Sequence, residues 1–126
     1  MIMCTSIQKI SAMDLEKIMY GSDRLDNQII DVRERGDFEC ASGYNTDIIN
    51  LPLSKSYKWS REVVDGKFLS PKKPTVCICS DGQRSAIMAA FLATKAKYTS
   101  VYFVDGGISS YTPRSSKLTT ANIGNI

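Results

Sequence analysis

Thr75-Val76-Cys77-Ile78-Cys79-Ser80-Asp81-Gly82-Gln83-Arg84-Ser85 decides the fold of this chain. An apolar, β-branched run stops at a cysteine, turns through small polar residues and opens a helix-like stretch from Ser85 to Ala96. Such a strand–loop–helix unit aims backbone N–H groups and the positive end of the helix at the cysteine sulfur. A free thiol is only about 3% ionised at neutral pH. Lowering its pKa by ~2 units, worth ~2.7 kcal/mol, makes the nucleophile largely available. Arg84 adds a full positive charge at the far end of the loop. Cys79 is therefore read as a reactive residue.

Outward from this unit, strand-like and helix-like segments alternate. Ile7–Ile10 reads as a first strand, and Ser11 with Asp14 three residues on gives a capping-box start to a helix over Ala12–Tyr20. Leu15, Ile18 and Met19 give that helix one apolar face, and Gly21-Ser22-Asp23 ends it. Gln28–Val32 reads as a buried strand, Asp37–Ala41 as a single helical turn, and Asp47–Leu51 as a strand stopped by Pro52. Ser56–Val64 fits an amphipathic helix, Thr75–Cys79 the fourth strand and Ser100–Val104 the fifth. Every residue from Ala86 to Ala93 is apolar, which predicts a helix buried over most of its surface. Alternation of this kind predicts an α/β fold with a largely parallel five-stranded sheet and helices on both faces. Ligands of such sheets bind beyond the carboxyl ends of the strands. Three segments reach that edge: the Cys79 loop, Asp31-Val32-Arg33-Glu34 and Gly106-Gly107.

The bulk numbers narrow the function. With 126 residues the chain suits one domain, over residues 1–113, with a polar and loosely held tail at 114–126. A net charge of +3 with no basic–aromatic pattern argues against a nucleic-acid partner. Lys55, Lys58, Arg61, Lys67, Lys72 and Lys73 read as a solvated face, with docking of an acidic partner as the sharper alternative. There is no apolar run near eighteen residues and no signal-peptide pattern. Four irregularly spaced cysteines fit neither a disulfide framework nor a zinc site. These features suggest a reducing, cytoplasmic setting, with an organelle left open, and no metal or organic cofactor. The chain has no histidine, so cysteine–histidine catalysis is excluded. Backbone dipoles and arginine must activate Cys79.

Four pieces of the chain, in order and register from about Ile7 to Tyr111, resemble the rhodanese (sulfurtransferase) domain family. Ile30-Asp31-Val32-Arg33-Glu34 looks like its strand-end motif, and Gly43 through Pro52 like the segment that follows. Cys77 to Ser85 resembles its active-site strand and loop, and Val101 to Ile108 its last strand and turn. The resemblance implies a persulfide carried on Cys79, with sulfur taken from a small donor such as thiosulfate and passed to a thiol or cyanide acceptor. It leaves room for protein sulfur donors or acceptors. The amides of Ser80, Asp81, Gly82, Gln83, Arg84 and Ser85 are the expected cradle for the persulfide anion, with Gly82 the residue best suited to φ > 0.

Cdc25-type phosphatases and related arsenate reductases share this architecture but place five residues between cysteine and arginine. Here four lie between Cys79 and Arg84, a tighter ring suited to a single sulfur atom. The chain also departs from the family: Tyr44 replaces a histidine, Thr46 and Asp47 a proline and glycine, Tyr111 a tryptophan, and Lys97 a helix-ending glycine. Asp81 places a carboxylate inside the loop, where it opposes a dianionic donor. That favours a carrier module loaded by a partner enzyme as the second reading. A non-catalytic interaction domain is the third. Cys77 reads as a core residue or a resolving thiol, Asp31 as part of a charge network or a catalytic group, and Trp59 as a packing residue. Cys4 and Cys40 receive no role.

Overall fold

A computed structural model describes residues 6–22, 26–36 and 48–107. The expected turn at Asp37–Ala41, the tail at 114–126, and Cys4, Cys40, Tyr44, Thr46, Asp47 and Tyr111 lie outside the described residues. Five strands form one sheet: β1 (Ser6–Ile10), β2 (Gln28–Asp31), β3 (Ile49–Asn50), β4 (Thr75–Ile78) and β5 (Ser100–Val104). Their order across the sheet is β1-β5-β4-β2-β3, and each described pair is parallel. The helices whose two ends are both described are α1 (Ala12–Tyr20), α2 (Ser56–Val64) and α3 (Gln83–Thr94), with a short 3₁₀ turn at Leu53–Lys55.

Local chemistry sets the element ends. Ser11 caps α1: its Oγ accepts the Asp14 N–H at 3.0 Å, and the Asp14 carboxylate accepts the Ser11 N–H at 3.2 Å. These bonds, the Ser11 amide first, hold the Asp14 carboxyl below its usual pKa. Leu15 and Met19 face inward from this helix. β2 is held at its start by Gln28, whose side chain donates to Ser70 O and Thr75 Oγ1 and accepts the Ser70 N–H. β3 is shorter than its apolar run, because Pro52 ends the ladder just after the Leu51 N–H pairs with Asp31 O. Beyond α3, Lys97 takes φ 63°, the left-handed conformation that a glycine would adopt without strain.

Two apolar clusters divide the sheet faces. α1 packs Ala12, Leu15 and Met19 on Ile29, Val76, Ile78 and Val104. On the opposite face, Trp59 and Val63 from α2 and Met88, Ala89 and Leu92 from α3 cover Ile30, Val32, Cys77 and Cys79. Trp59 is a packing residue, donating its Nε1–H to Pro52 O at 3.0 Å and meeting the Phe91 ring edge-on at 5.9 Å. The expectation that α3 is buried over most of its surface is corrected. Ser85, Met88, Ala89, Leu92 and Ala93 face inward, while Ile87 is 57% exposed. An unbroken apolar run carries no period, so it cannot tell an inner face from an outer one.

Candidate functional site

Cys79 follows the last residue of β4, the central strand, and α3 begins four residues later. Gly82 is the N-cap of α3, in the left-handed conformation at φ 91°, ψ −15°. Glycine has no side chain to accept the orphan amides of the first helical turn. The Cys79 sulfur takes that place: Sγ accepts the Gly82 N–H at 3.0 Å and the Ser85 N–H at 3.3 Å. It also lies 3.3 Å from Ser85 Oγ, to which the thiol donates, and Ser85 Oγ in turn donates to Gly82 O at 3.2 Å. Cys79, Gly82 and Ser85 are buried, Ser80 and Arg84 are half-buried, and Asp81 and Gln83 are exposed.

Of the six amides expected around the sulfur, those of Gly82 and Ser85 reach it, and that of Gln83 turns to Asp81 Oδ1 at 3.0 Å. That same carboxylate oxygen lies 3.8 Å from Cys79 Sγ, close enough to act on any charge formed there. This contact is a feature that loop composition alone does not reveal. The sulfur is a weak acceptor, and the two amides at the helix N-terminus form a donor set of the kind that binds anions.

The turn after β5 closes the loop from the other side. Gly106 and Gly107 both have positive φ, 72° and 68°, and the Gly107 N–H pairs with Val104 O at 2.9 Å. A Cβ on Gly107 would overlap the Ser80 carbonyl and the Asp81 amide nitrogen. The glycine pair therefore lets one backbone lie directly on another, which fixes the position of Ser80 and Asp81.

Asp31 and Arg33 lie at the end of the neighbouring strand but face elsewhere. Asp31 pairs in register with Ile78, so its side chain takes the α1 face of the sheet, whereas Cys79 belongs to the cluster on the opposite face. Arg33 Nε lies 3.1 Å from each Asp31 oxygen, and its Nη2 lies 2.9 Å from Oδ2. Asn50 Nδ2 ties the Asp31 and Arg33 carbonyls together, at 2.9 Å each. This is the charge network of the two sequence readings. Cys77 is wholly buried in the core, and burial, with Cys79 nearby, pushes its thiol pKa up, which holds it protonated. Tyr98, also wholly buried, has its phenol pushed up to about 12 chiefly by burial. Among the described residues no group of three or more His, Cys, Asp or Glu is placed to hold a metal ion.

A cysteine at the carboxyl end of a central parallel strand, capping the next helix with its sulfur, sits at the edge of the sheet where ligands of such folds bind. Residues 11–113 match the rhodanese-like domain family, and the chain belongs to it. A rhodanese-related protein from Thermoplasma volcanium is 29% identical, with 82% of this chain covering 89% of that one at TM-score 0.59. A protein of unknown function from Rhodopseudomonas palustris, named a possible tyrosine phosphatase, is 22% identical at TM-score 0.64, covering 83% of this chain and 79% of that one. A NAD-dependent persulfide reductase from A. fulgidus is 19% identical at TM-score 0.51, with 87% of this chain covering 16% of that protein. The last two likenesses concern the fold alone. No curated protein sequence matches the chain. The family is one of sulfur transfer in general, and among the described residues no helix is long and apolar enough to cross a membrane.

Proposed function

We propose that the chain is a sulfurtransferase that carries sulfane sulfur as a persulfide on Cys79. The observation that supports this most directly is the convergence of the Gly82 and Ser85 amides on Cys79 Sγ at the N-terminus of α3. In the first step the Cys79 thiolate attacks the outer sulfur of the donor. The donor's S–S bond breaks, and its remainder leaves with the electron pair, as sulfite if the donor is thiosulfate. In the second step a thiolate or cyanide attacks the outer sulfur of the persulfide and returns Cys79 as thiolate. No external oxidant or reductant enters either step. The added sulfur extends about 2 Å beyond Sγ. The remaining loop amides of Ser80, Asp81 and Arg84, and the Arg84 guanidinium, are the groups assigned to that outer atom and the leaving anion.

The short loop supports sulfur transfer over phosphatase or arsenate chemistry, since a tetrahedral oxyanion needs a wider ring. The Asp81 carboxylate, 3.8 Å from Sγ, favours a second reading in which the donor is a persulfide of low charge, on a partner protein or a small thiol, rather than thiosulfate. The test is intact mass after incubation with thiosulfate and, separately, with glutathione persulfide, followed by discharge with cyanide. The expected result is gain of one sulfur on the wild type, its release as thiocyanate, and no cyanide-labile gain on Cys79→Ser. Equal loading of wild type and Cys79→Ser, or loading of neither by either donor, overturns the assignment.

A further inference from the structure

α2 and α3 leave an outer surface that is open among the described residues. On α2, Tyr57, Ser60, Arg61 and Val64 recur at helical spacing and share one face, with Trp59 and Val63 turned inward. Tyr57 is 73% and Val64 44% exposed. On α3, Arg84, Ile87 and Phe91 form the corresponding outward stripe, with Ile87 57% exposed. Between the two helices runs a groove of about 420 Å³, lined by Ser60, Arg61, Val64, Asp65 and Phe91. Phe91, which lines it, also meets the Trp59 ring edge-on.

The excess basic charge of the chain lies in the segment that holds α2. The segment from Leu53 to Lys73 holds six basic and two acidic residues, leaving ten basic and eleven acidic residues in the rest of the 126. The net charge of +3 thus belongs to α2 and its flanks. Neither Arg61 nor Arg84 makes an ion pair with another described residue. A groove with apolar walls at Val64 and Phe91, built on a segment that carries a surplus of basic residues, fits an occupant with apolar anchors and flanking carboxylates.

We propose that this groove docks an acidic, apolar-anchored segment of a protein that exchanges sulfur with Cys79. The apolar anchors seat against Val64, Phe91 and the neighbouring exposed Ile87, and the carboxylates face Arg61. The inference rests on the sulfur-transfer reading, because α3 connects groove and site: Arg84 belongs both to the outer stripe and to the Cys79 loop. Ile87 lies one turn, about 5 Å, further along. A partner lying along α3 is therefore led toward the loop. A second copy of this chain would set the same basic segment against itself, and a flat lipid surface would leave the groove between the helices unfilled.

The test uses two helical peptides with the same leucine spacing, one flanked by glutamates and one by lysines. Trp59, the sole tryptophan, reports binding by fluorescence. The Glu-flanked peptide is expected to bind at least about tenfold more tightly than the Lys-flanked one and to weaken with salt. Ile87→Asp and Arg61→Glu, both at exposed positions, are each expected to weaken it about fivefold or more while sulfur loading from glutathione persulfide stays unchanged. Equal binding of the two peptides, no binding at about 1 mM, or binding that both variants leave intact overturns the proposal. So does a concentration-dependent dimer abolished by Ile87→Asp, or binding to phosphatidylserine vesicles in place of the peptides. Absence of persulfide loading in the wild type counts against the sulfur reading alone.

Discussion

Two neighbouring parallel strands, β2 and β4, end in loops that handle charge in opposite ways. At the end of β2, Asp31 is closed on itself by an ion pair. Both carboxylate oxygens are taken by the Arg33 side chain, Oδ1 also accepts the Arg33 N–H at 2.9 Å, and both side chains are buried. At the end of β4, the donors are backbone groups: two amides and a helix terminus point at the Cys79 sulfur. The first arrangement is complete without a ligand and does structural work. The second is a donor set of the kind that binds anions. Proximity at the same sheet edge therefore does not make Asp31 a partner of Cys79, and the sheet itself separates them.

The sharpest way to break this contrast is to spoil the backbone packing that only the β4 end requires. Gly107→Ala places a Cβ into the Ser80 carbonyl at a residue with φ 68°. Strain and overlap together cost about 4 kcal/mol, and relief must come from moving Ser80 and Asp81. The expected outcome is a folded but less stable protein whose persulfide loading falls at least about a hundredfold, read by chemical denaturation and intact mass. Normal loading with lowered stability alone would mean that the glycine turn does not position the loop.

Arg33→Met probes the other end. It leaves the buried Asp31 carboxylate without its counter-charge, which costs about 3 kcal/mol when a buried pair loses one partner. Persulfide loading of the folded fraction is expected to stay within about twofold of wild type, because Asp31 faces α1 rather than the sulfur. The double variant Asp31→Leu with Arg33→Met is expected to recover most of the lost stability, as apolar replacement of a buried pair does elsewhere. A large loss of loading at intact fold would overturn the separation of the two ends.

How much of this was legible in the sequence follows the range of the interactions. Ser11 with Asp14 and Pro52 after Leu51 act over a few residues, and each marked an element end that the structure keeps; Gly82 was legible as a position for φ > 0, whereas the helix it caps starts at Gln83, two residues before the expected Ser85. Lys97 in place of a glycine also stood out, because φ > 0 is a local demand. The parallel sheet followed from the alternation of strands and helices. What escaped depends on geometry across elements. The run Ala86–Ala93 could not reveal that Ile87 faces outward, since apolarity without period has no direction. Six loop amides looked equivalent as letters, yet the helix start turns those of Gly82 and Ser85 onto the sulfur and gives that of Gln83 to Asp81. The register of Asp31 with Ile78, which puts the carboxylate on the far face, is likewise a property of the folded sheet.

Asp81 offers the finest test of the contrast, since it brings a permanent charge of the β2 kind into the β4 loop. Its Oδ1 accepts the Gln83 N–H at 3.0 Å and lies 3.8 Å from Cys79 Sγ. Asp81→Asn keeps a carbonyl oxygen for the Gln83 amide and removes the charge, so the loop geometry is retained. A dianionic donor such as thiosulfate meets less repulsion in this variant, and the effect is moderated by solvent because Asp81 is exposed. Loading by thiosulfate is expected to rise about tenfold at low ionic strength, and the gain should shrink as salt is added. Loading by an alkyl hydropersulfide, whose neutral form is the electrophile and so meets no repulsion from Asp81, is expected to change less than about twofold. Equal gains with both donors would trace the effect to the nucleophile itself, with the carboxylate acting on the Cys79 anion rather than on the incoming sulfur donor. Unchanged loading with either donor would leave Asp81 as a turn residue, its carboxylate needed only to hold the first amide of α3.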